Sequence, residues 1–189
     1  MRFGAIFAGG LAVLLSFGVA DHSAAGRSRD AVDSIDNSLY LIKTTTREEV
    51  EYDGKFAPGT IIIDTGERVL YYVLKGKKAI RYGVGVGREG YSWSGTSHVS
   101  RKAEWPGWTP PGEMRQRQPW LPSYVPGGEG NPLGARALYL GATLYRIHGT
   151  NEAQTIGRAV SSGCIRMLNK DVIDLYERVK IGAKVVVLQ

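Results

Sequence analysis

Cysteine is almost missing from this chain. Cys164 is the only thiol in 189 residues, so no internal disulfide can form and no CxxC pair is available for zinc or dithiol chemistry. Histidine is nearly as scarce: His22, His98 and His148 complete the set, and none belongs to an HExxH motif. One cysteine and one histidine make half a zinc site, so no metal is expected. A basic stripe interleaved with aromatics, which nucleic acid requires, is missing as well. The net charge is +6, but the basic residues are scattered, and the densest run, Lys75 to Lys78, reads as a hairpin turn. That mild surplus suits an anionic envelope polymer or a membrane surface and argues against a nucleic-acid partner. No long apolar run follows residue 25, so no stable membrane insertion is expected of the remainder.

The one apolar run stands at the start. Residues 1–25 carry Arg2, an uncharged stretch from Phe3 to Ala20, and small residues around two candidate cleavage points, Ala20 and Ala25. This is the pattern of a secretory signal peptide, and it predicts a periplasmic or cell-envelope location. An odd thiol in an oxidising compartment is a liability unless it pairs or works. The alternative is a buried cysteine acting as a small hydrophobe. Residues 26–57 are mostly polar and read as a linker and N-terminal extension, leaving 58–189 as one domain with enough chain for a core.

From Thr60 the pattern becomes β-rich. Ile61 to Asp64, Arg68 to Leu74 and Ala79 to Val86 are separated by Thr65-Gly66-Glu67 and Lys75-Gly76-Lys77, which predicts an antiparallel meander. The run Gly83-Val84-Gly85-Val86-Gly87 follows a strand, but no helix pattern follows it, so a close backbone approach fits better than a dinucleotide loop. Residues 88–134 read as a long irregular segment that holds all four tryptophans. Long loops rich in aromatics are ordered and functional more often than not, which predicts a lid or wall beside a site. Trp105 and Trp108 are candidates to face a ligand there, as are Tyr145 and Arg146 further on. His98 reads as a strand or surface residue. Two strands turning at Gly141-Ala142 deliver His148 to a strand end, Asn169 to Val179 has a helical period with Asn169 as cap, and Lys184 to Leu188 is a last strand. The fold class is therefore mainly β with minor α.

The chemistry concentrates between His148 and Met167. Cys164 lies in the tight polar turn Ser161-Ser162-Gly163-Cys164, and His148 could take its proton if the fold joins them. Attack requires thiolate, so an activated Cys164 is expected to titrate well below about 8.5. The N–H groups of Gly163 and Cys164 are candidates to stabilise an oxyanion. Arg166 could keep positive charge near the thiolate or grip a substrate carboxylate. Ser161 and Ser162 are not in a G-x-S-x-G elbow, which leaves Cys164 the better nucleophile for acyl transfer.

His148-Gly149-Thr150, followed by Ser161-Ser162-Gly163-Cys164-Ile165-Arg166, resembles the active-site signature of the YkuD-type L,D-transpeptidases. The resemblance runs over residues 58–189 and extends to the helix with Leu175-Tyr176 and to Gly182-Ala183-Lys184-Val185-Val186. It implies a mixed β-sandwich with a helix packed on it after the cysteine turn, and no cofactor. It implies Cys164 as nucleophile, His148 as general base and acid, and the Gly149 carbonyl orienting the imidazole. The implied substrates are peptidoglycan stem peptides, and an outer-membrane protein or lipoprotein is a further acyl acceptor. Ser162 stands where the family usually has histidine. The family's Thr-Pro-x-Gly signature after the glycine-rich strand is replaced by WSGTSHVSRKAEWPGWTPPGEM. A silent wall-binding module and a cysteine hydrolase of other peptides are the rival readings.

Overall fold

The computed structural model describes residues 47–189, so the signal-peptide expectation lies outside the described residues. Four strands form one edge of the main sheet: β1 (Glu48–Glu51), β2 (Ile61–Asp64), β3 (Val69–Val73) and β4 (Lys78–Gly83). The last three make the expected meander, β2 pairing antiparallel with β3 and β3 with β4. Strand β1 is unexpected, because it falls in the segment read as linker. Its sequence EEVE buries almost nothing, so it carries no apolar period to read. It adds to the sheet through backbone pairing with β4 and through Glu48–Arg81 (3.1 Å) and Glu49–Lys78 (2.6 Å) ion pairs. Charged side chains of this kind are what an edge strand tolerates.

Residues 88–134 hold a second surprise. They contain the longest strand among the described residues, β6 (Gly95–Glu104), where an irregular segment was expected. Of its ten residues only Val99 is buried, so the alternation that marks a half-buried strand is absent from the sequence. Its first half pairs with β11 (Lys184–Leu188) and its second half with β7 (Arg136–Leu140), with a register shift between Val99 and Arg101. Such a shift lets one strand serve two halves of a sheet and turn the corner between them.

The resulting order is β1-β4-β3-β2-β11-β6-β7-β8-β10, with β8 (Arg146–His148) and β10 (Ile165–Arg166) closing the far edge. Parallel pairs, β11 with β2 and β10 with β8, mix with the antiparallel ones. Ile61, Ile63, Leu70 and Tyr82 from one half share a single core with Leu138, Leu140, Ile147 and Ile165 from the other. Helix α2 (Asn169–Arg178) adds Val172 and Leu175 to that core. Its C-terminal carbonyls are capped by Lys102, whose Nζ donates to Tyr176 (2.5 Å) and Val179 (2.8 Å).

A small second sheet joins β5 (Val86–Gly87) to β9 (Ala159–Ser161) in parallel. Just before it, Gly85 exchanges both backbone hydrogen bonds with Arg166, at 2.8 and 2.9 Å. A Cβ on Gly85 would lie 2.7 Å from the Thr155 carbonyl oxygen, so the glycine run serves close backbone approach. It brings the cysteine turn against the sheet.

Candidate active site

The parallel pairing of β8 and β10 sets Ile147 opposite Ile165 and His148 opposite Arg166. Side chains on a strand alternate between faces. Ile147, Ile165 and Met167 go into the core, so Arg146, His148, Cys164 and Arg166 take the other face. There they line one cleft of about 590 Å³ together with Tyr145, Ser161 and Ser162. Cys164 and His148, 16 residues apart in the chain, are brought to the same wall by two short strands.

The opposite wall comes from the tryptophan-rich segment. Trp108, Pro111 and helix α1 (Gly112–Arg117), through Glu113, Met114 and Arg117, face the cysteine turn. Trp108 is fixed by a two-way backbone pairing with Val125, both bonds 2.8 Å. Trp105 does not line the cleft, contrary to expectation. It sits past the end of β6 with φ +39 and is 41% exposed, so the left-handed kink that ends the strand turns it away. His98 is exposed on β6, as expected.

His148 is buried at 4% exposure. Its Nδ1 lies 2.5 Å from the Gly149 carbonyl oxygen. A carbonyl can only accept, so Nδ1 carries the proton and Nε2 is left with its lone pair. Burial lowers the imidazole pKa to about 3, with the nearby charges of Arg166 and Arg146 adding to the effect and the Gly149 carbonyl opposing it. The ring is therefore neutral at physiological pH, which is the form that accepts a proton.

Cys164 is partly exposed at the cleft. Burial of the sulfur raises its pKa, while Arg146, through charge and its backbone hydrogen bond, and Arg166 pull it down. The direction is opposite to the thiolate expected from the sequence. The reason is that two arginines do not offset desolvation, and one of them is already engaged: Arg166 donates to Glu152 at 2.7 Å and to Thr155 at 3.3 Å. At rest, then, Cys164 is a neutral thiol and His148 a neutral imidazole, both lining the same cleft.

The turn itself is held by a residue whose role the sequence did not single out. The buried Ser161 hydroxyl donates to the Cys164 carbonyl at 2.6 Å and accepts the Gly163 N–H at 3.1 Å. The Gly163 N–H is therefore engaged inside the turn, and does not point out as an oxyanion donor as expected. Gly163 has φ +101, and a Cβ there would come within 2.5 Å of the Tyr145 ring, so only glycine fits. Trp93, also unforeseen, stacks on Tyr145 at 5.0 Å and donates its Nε1–H to the Gly163 carbonyl at 3.2 Å. No local motif marks Trp93, since its partners lie some 50 and 70 residues away in the chain. Among the described residues, no cluster of three or more His, Cys, Asp or Glu side chains could hold a metal.

A family model, the L,D-transpeptidase catalytic domain YkuD, matches residues 58–187. The chain belongs to this family. It is 42% identical over 134 residues to the Escherichia coli protein named probable L,D-transpeptidase YbiS, covering 66% of this chain and 43% of that one. It therefore spans less than half of that relative's length. A solved Brucella melitensis protein, described as a probable carnitine operon oxidoreductase, is 46% identical, with a TM-score of 0.51 over 76% of this chain and 93% of that one. L,D-transpeptidase 3 from Mycobacterium tuberculosis shares the fold, with a TM-score of 0.54 at 15% identity over 69% of this chain and 60% of that one. The mixed β-sheet with one main helix expected from the sequence is the fold of these L,D-transpeptidases.

Proposed function

We propose that this chain is an exported L,D-transpeptidase whose nucleophile is Cys164 and whose general base and acid is His148. The observation that carries this reading is the shared cleft, in which an imidazole fixed as the Nδ1–H tautomer by Gly149 lines the same wall as the only thiol. His148 Nε2 takes the thiol proton as sulfur attacks the carbonyl of the diaminopimelate, the third residue of a tetrapeptide stem, on the acyl side of its bond to the terminal D-alanine. The C–N bond then breaks, the imidazolium returns its proton to the departing D-alanine amine, and a thioester remains on Cys164. With Gly163 engaged by Ser161, the Cys164 N–H is the amide we assign to the developing oxyanion. An acceptor amine attacks the thioester, His148 removes its proton, and the thiol is regenerated.

A second diaminopimelate side chain as acceptor gives a 3-3 cross-link, and an amine of an outer-membrane protein or lipoprotein gives an anchored protein. Water gives a carboxypeptidase. Arg166, Arg146, Tyr145 and Trp108 line the cleft where a stem peptide with its carboxylates would lie. The oxidoreductase description of the Brucella relative has no support in the Gly83–Gly87 run, which pairs with Arg166 and β9 and leads into no helix. Incubation with purified tetrapeptide muropeptides tests the reading: a 3-3 dimer with release of D-alanine is expected. Tripeptide without dimer assigns hydrolysis instead, and unchanged substrate overturns the enzyme reading in favour of a wall-binding module.

A further inference from the structure

We infer that Asn169 is a positioning residue for the catalytic pair, acting on His148 through a single peptide plane. The inference rests on the functional reading above and concerns how the base is held. Asn169 was expected to cap α2, but the cap position is Leu168 and no side chain caps that end. The amide oxygen of Asn169 instead accepts the Ala135 N–H at 3.0 Å and the Thr150 N–H at 3.2 Å.

The Thr150 N–H and the Gly149 carbonyl belong to the same planar peptide unit, and in a trans peptide they point in opposite directions. Asn169 holds one side of this plane and His148 Nδ1, 2.5 Å from the Gly149 oxygen, is held by the other. The plane cannot rotate about its flanking bonds without breaking both contacts. Accepting the N–H also polarises the carbonyl, which strengthens its hold on the imidazole proton. The Gly149 N–H is tied separately to the Arg136 carbonyl at 3.0 Å.

The packing around this oxygen is close. Cβ atoms built on Gly134 and Gly149 would each lie 2.2 Å from the Asn169 amide oxygen, so both glycines exist to admit it. Asn169 follows Cys164 by five residues, at the start of α2. The segment that carries the nucleophile thus also supplies the group that aims the base. A shift of the cysteine turn and a shift of the imidazole are mechanically linked.

The test uses p-nitrophenyl acetate as acyl donor, so that it reads Cys164 acylation without relying on a stem peptide. The burst rate of p-nitrophenol release is measured from pH 6 to pH 10 for the unaltered chain, Asn169→Leu, Asn169→Asp and His148→Gln. Asn169→Leu is expected to slow the burst about tenfold at pH 7, the worth of the one hydrogen bond that holds the Gly149–Thr150 peptide plane against the base. The deficit should close towards pH 10, where solvent hydroxide ionises the thiol and no base is needed. Asn169→Asp keeps the accepting oxygen and should stay within about threefold throughout.

A deficit in Asn169→Leu that is the same at every pH assigns a merely structural role and overturns the inference, as does a folded Asn169→Leu with an unaltered profile. Should Asn169→Leu not fold, Asn169→Ser carries the same test, because its shorter side chain cannot reach both amides. A normal burst in the unaltered chain with no reaction on muropeptides would refute the proposed substrate while leaving the role of Asn169 to be decided by the profiles.

Discussion

Removing the Ser161 hydroxyl tests whether the cysteine turn is held from within. The hydroxyl makes two bonds, to the Cys164 carbonyl at 2.6 Å and from the Gly163 N–H at 3.1 Å, in a residue only 3% exposed. Each bond is worth about 1 kcal/mol net, and leaving buried partners unsatisfied adds to the loss. Ser161→Ala should therefore destabilise the domain by about 2–3 kcal/mol, which for a chain of this size lowers the melting temperature by about 5–10 °C. Because the lost bonds bracket Cys164, the proposed nucleophile, the acylation burst should also slow by about tenfold in protein that remains folded. Urea denaturation gives the first quantity and stopped-flow p-nitrophenol release the second. Ser162→Ala, one residue along and facing the cleft, is the control and should stay within about 0.5 kcal/mol. A Ser161→Ala variant as stable as that control, with an unaltered burst, would refute the reasoning.

Other consequences are open to measurement. His148→Gln should reduce acylation by about 10²–10⁴-fold at pH 7, the usual range for a general base, with binding of stem peptide retained in calorimetry. Because the folded imidazole titrates at about 3 and the unfolded one near 6.5, the unfolded chain binds more protons between those values. Stability should be complete above pH 6.5 and fall by up to about 1.4 kcal/mol per pH unit on acidification towards pH 3, a loss that urea titrations should find missing in His148→Gln. Lys102→Met removes the cation that caps the C-terminus of α2 and lies 4.0 Å from the Tyr176 ring, and should cost about 1–2 kcal/mol by the same assay. Ser162→His restores the usual family residue at a position open to the cleft. It should leave muropeptide turnover within about twofold, and loss of turnover would make Ser162 a working part of this chain.

The parts of the fold that could be read in sequence are those in which burial writes a pattern. The Ile61–Ile63 run, the two hairpin turns and the Lys184–Leu188 strand stand out because central strands flanked on both sides carry a run of three consecutive buried apolar residues. Strands β1 and β6 escape because their side chains are mostly exposed and backbone pairing alone maintains them. At the site, residue chemistry points to Cys164 and His148, since a lone thiol and a following-glycine histidine are rare types with few other uses. Asn169 was misread because helix-start asparagines ordinarily turn back on their own helix, whereas this one reaches across to Ala135 and Thr150. The direction of the Cys164 pKa could not be read either. It depends on how much water the folded cleft removes from the sulfur, and counting nearby arginines does not supply that quantity.

On the proposed mechanism a stem peptide becomes covalently bound to Cys164 with His148 as base. Intact-protein mass spectrometry after brief mixing with a disaccharide tetrapeptide tests it most directly. The expected product is an adduct equal to the donor less D-alanine, mapped to the peptide containing Cys164, missing in Cys164→Ala and strongly delayed in His148→Gln. An adduct that persists in Cys164→Ala, or D-alanine release with no role for either residue, would contradict it.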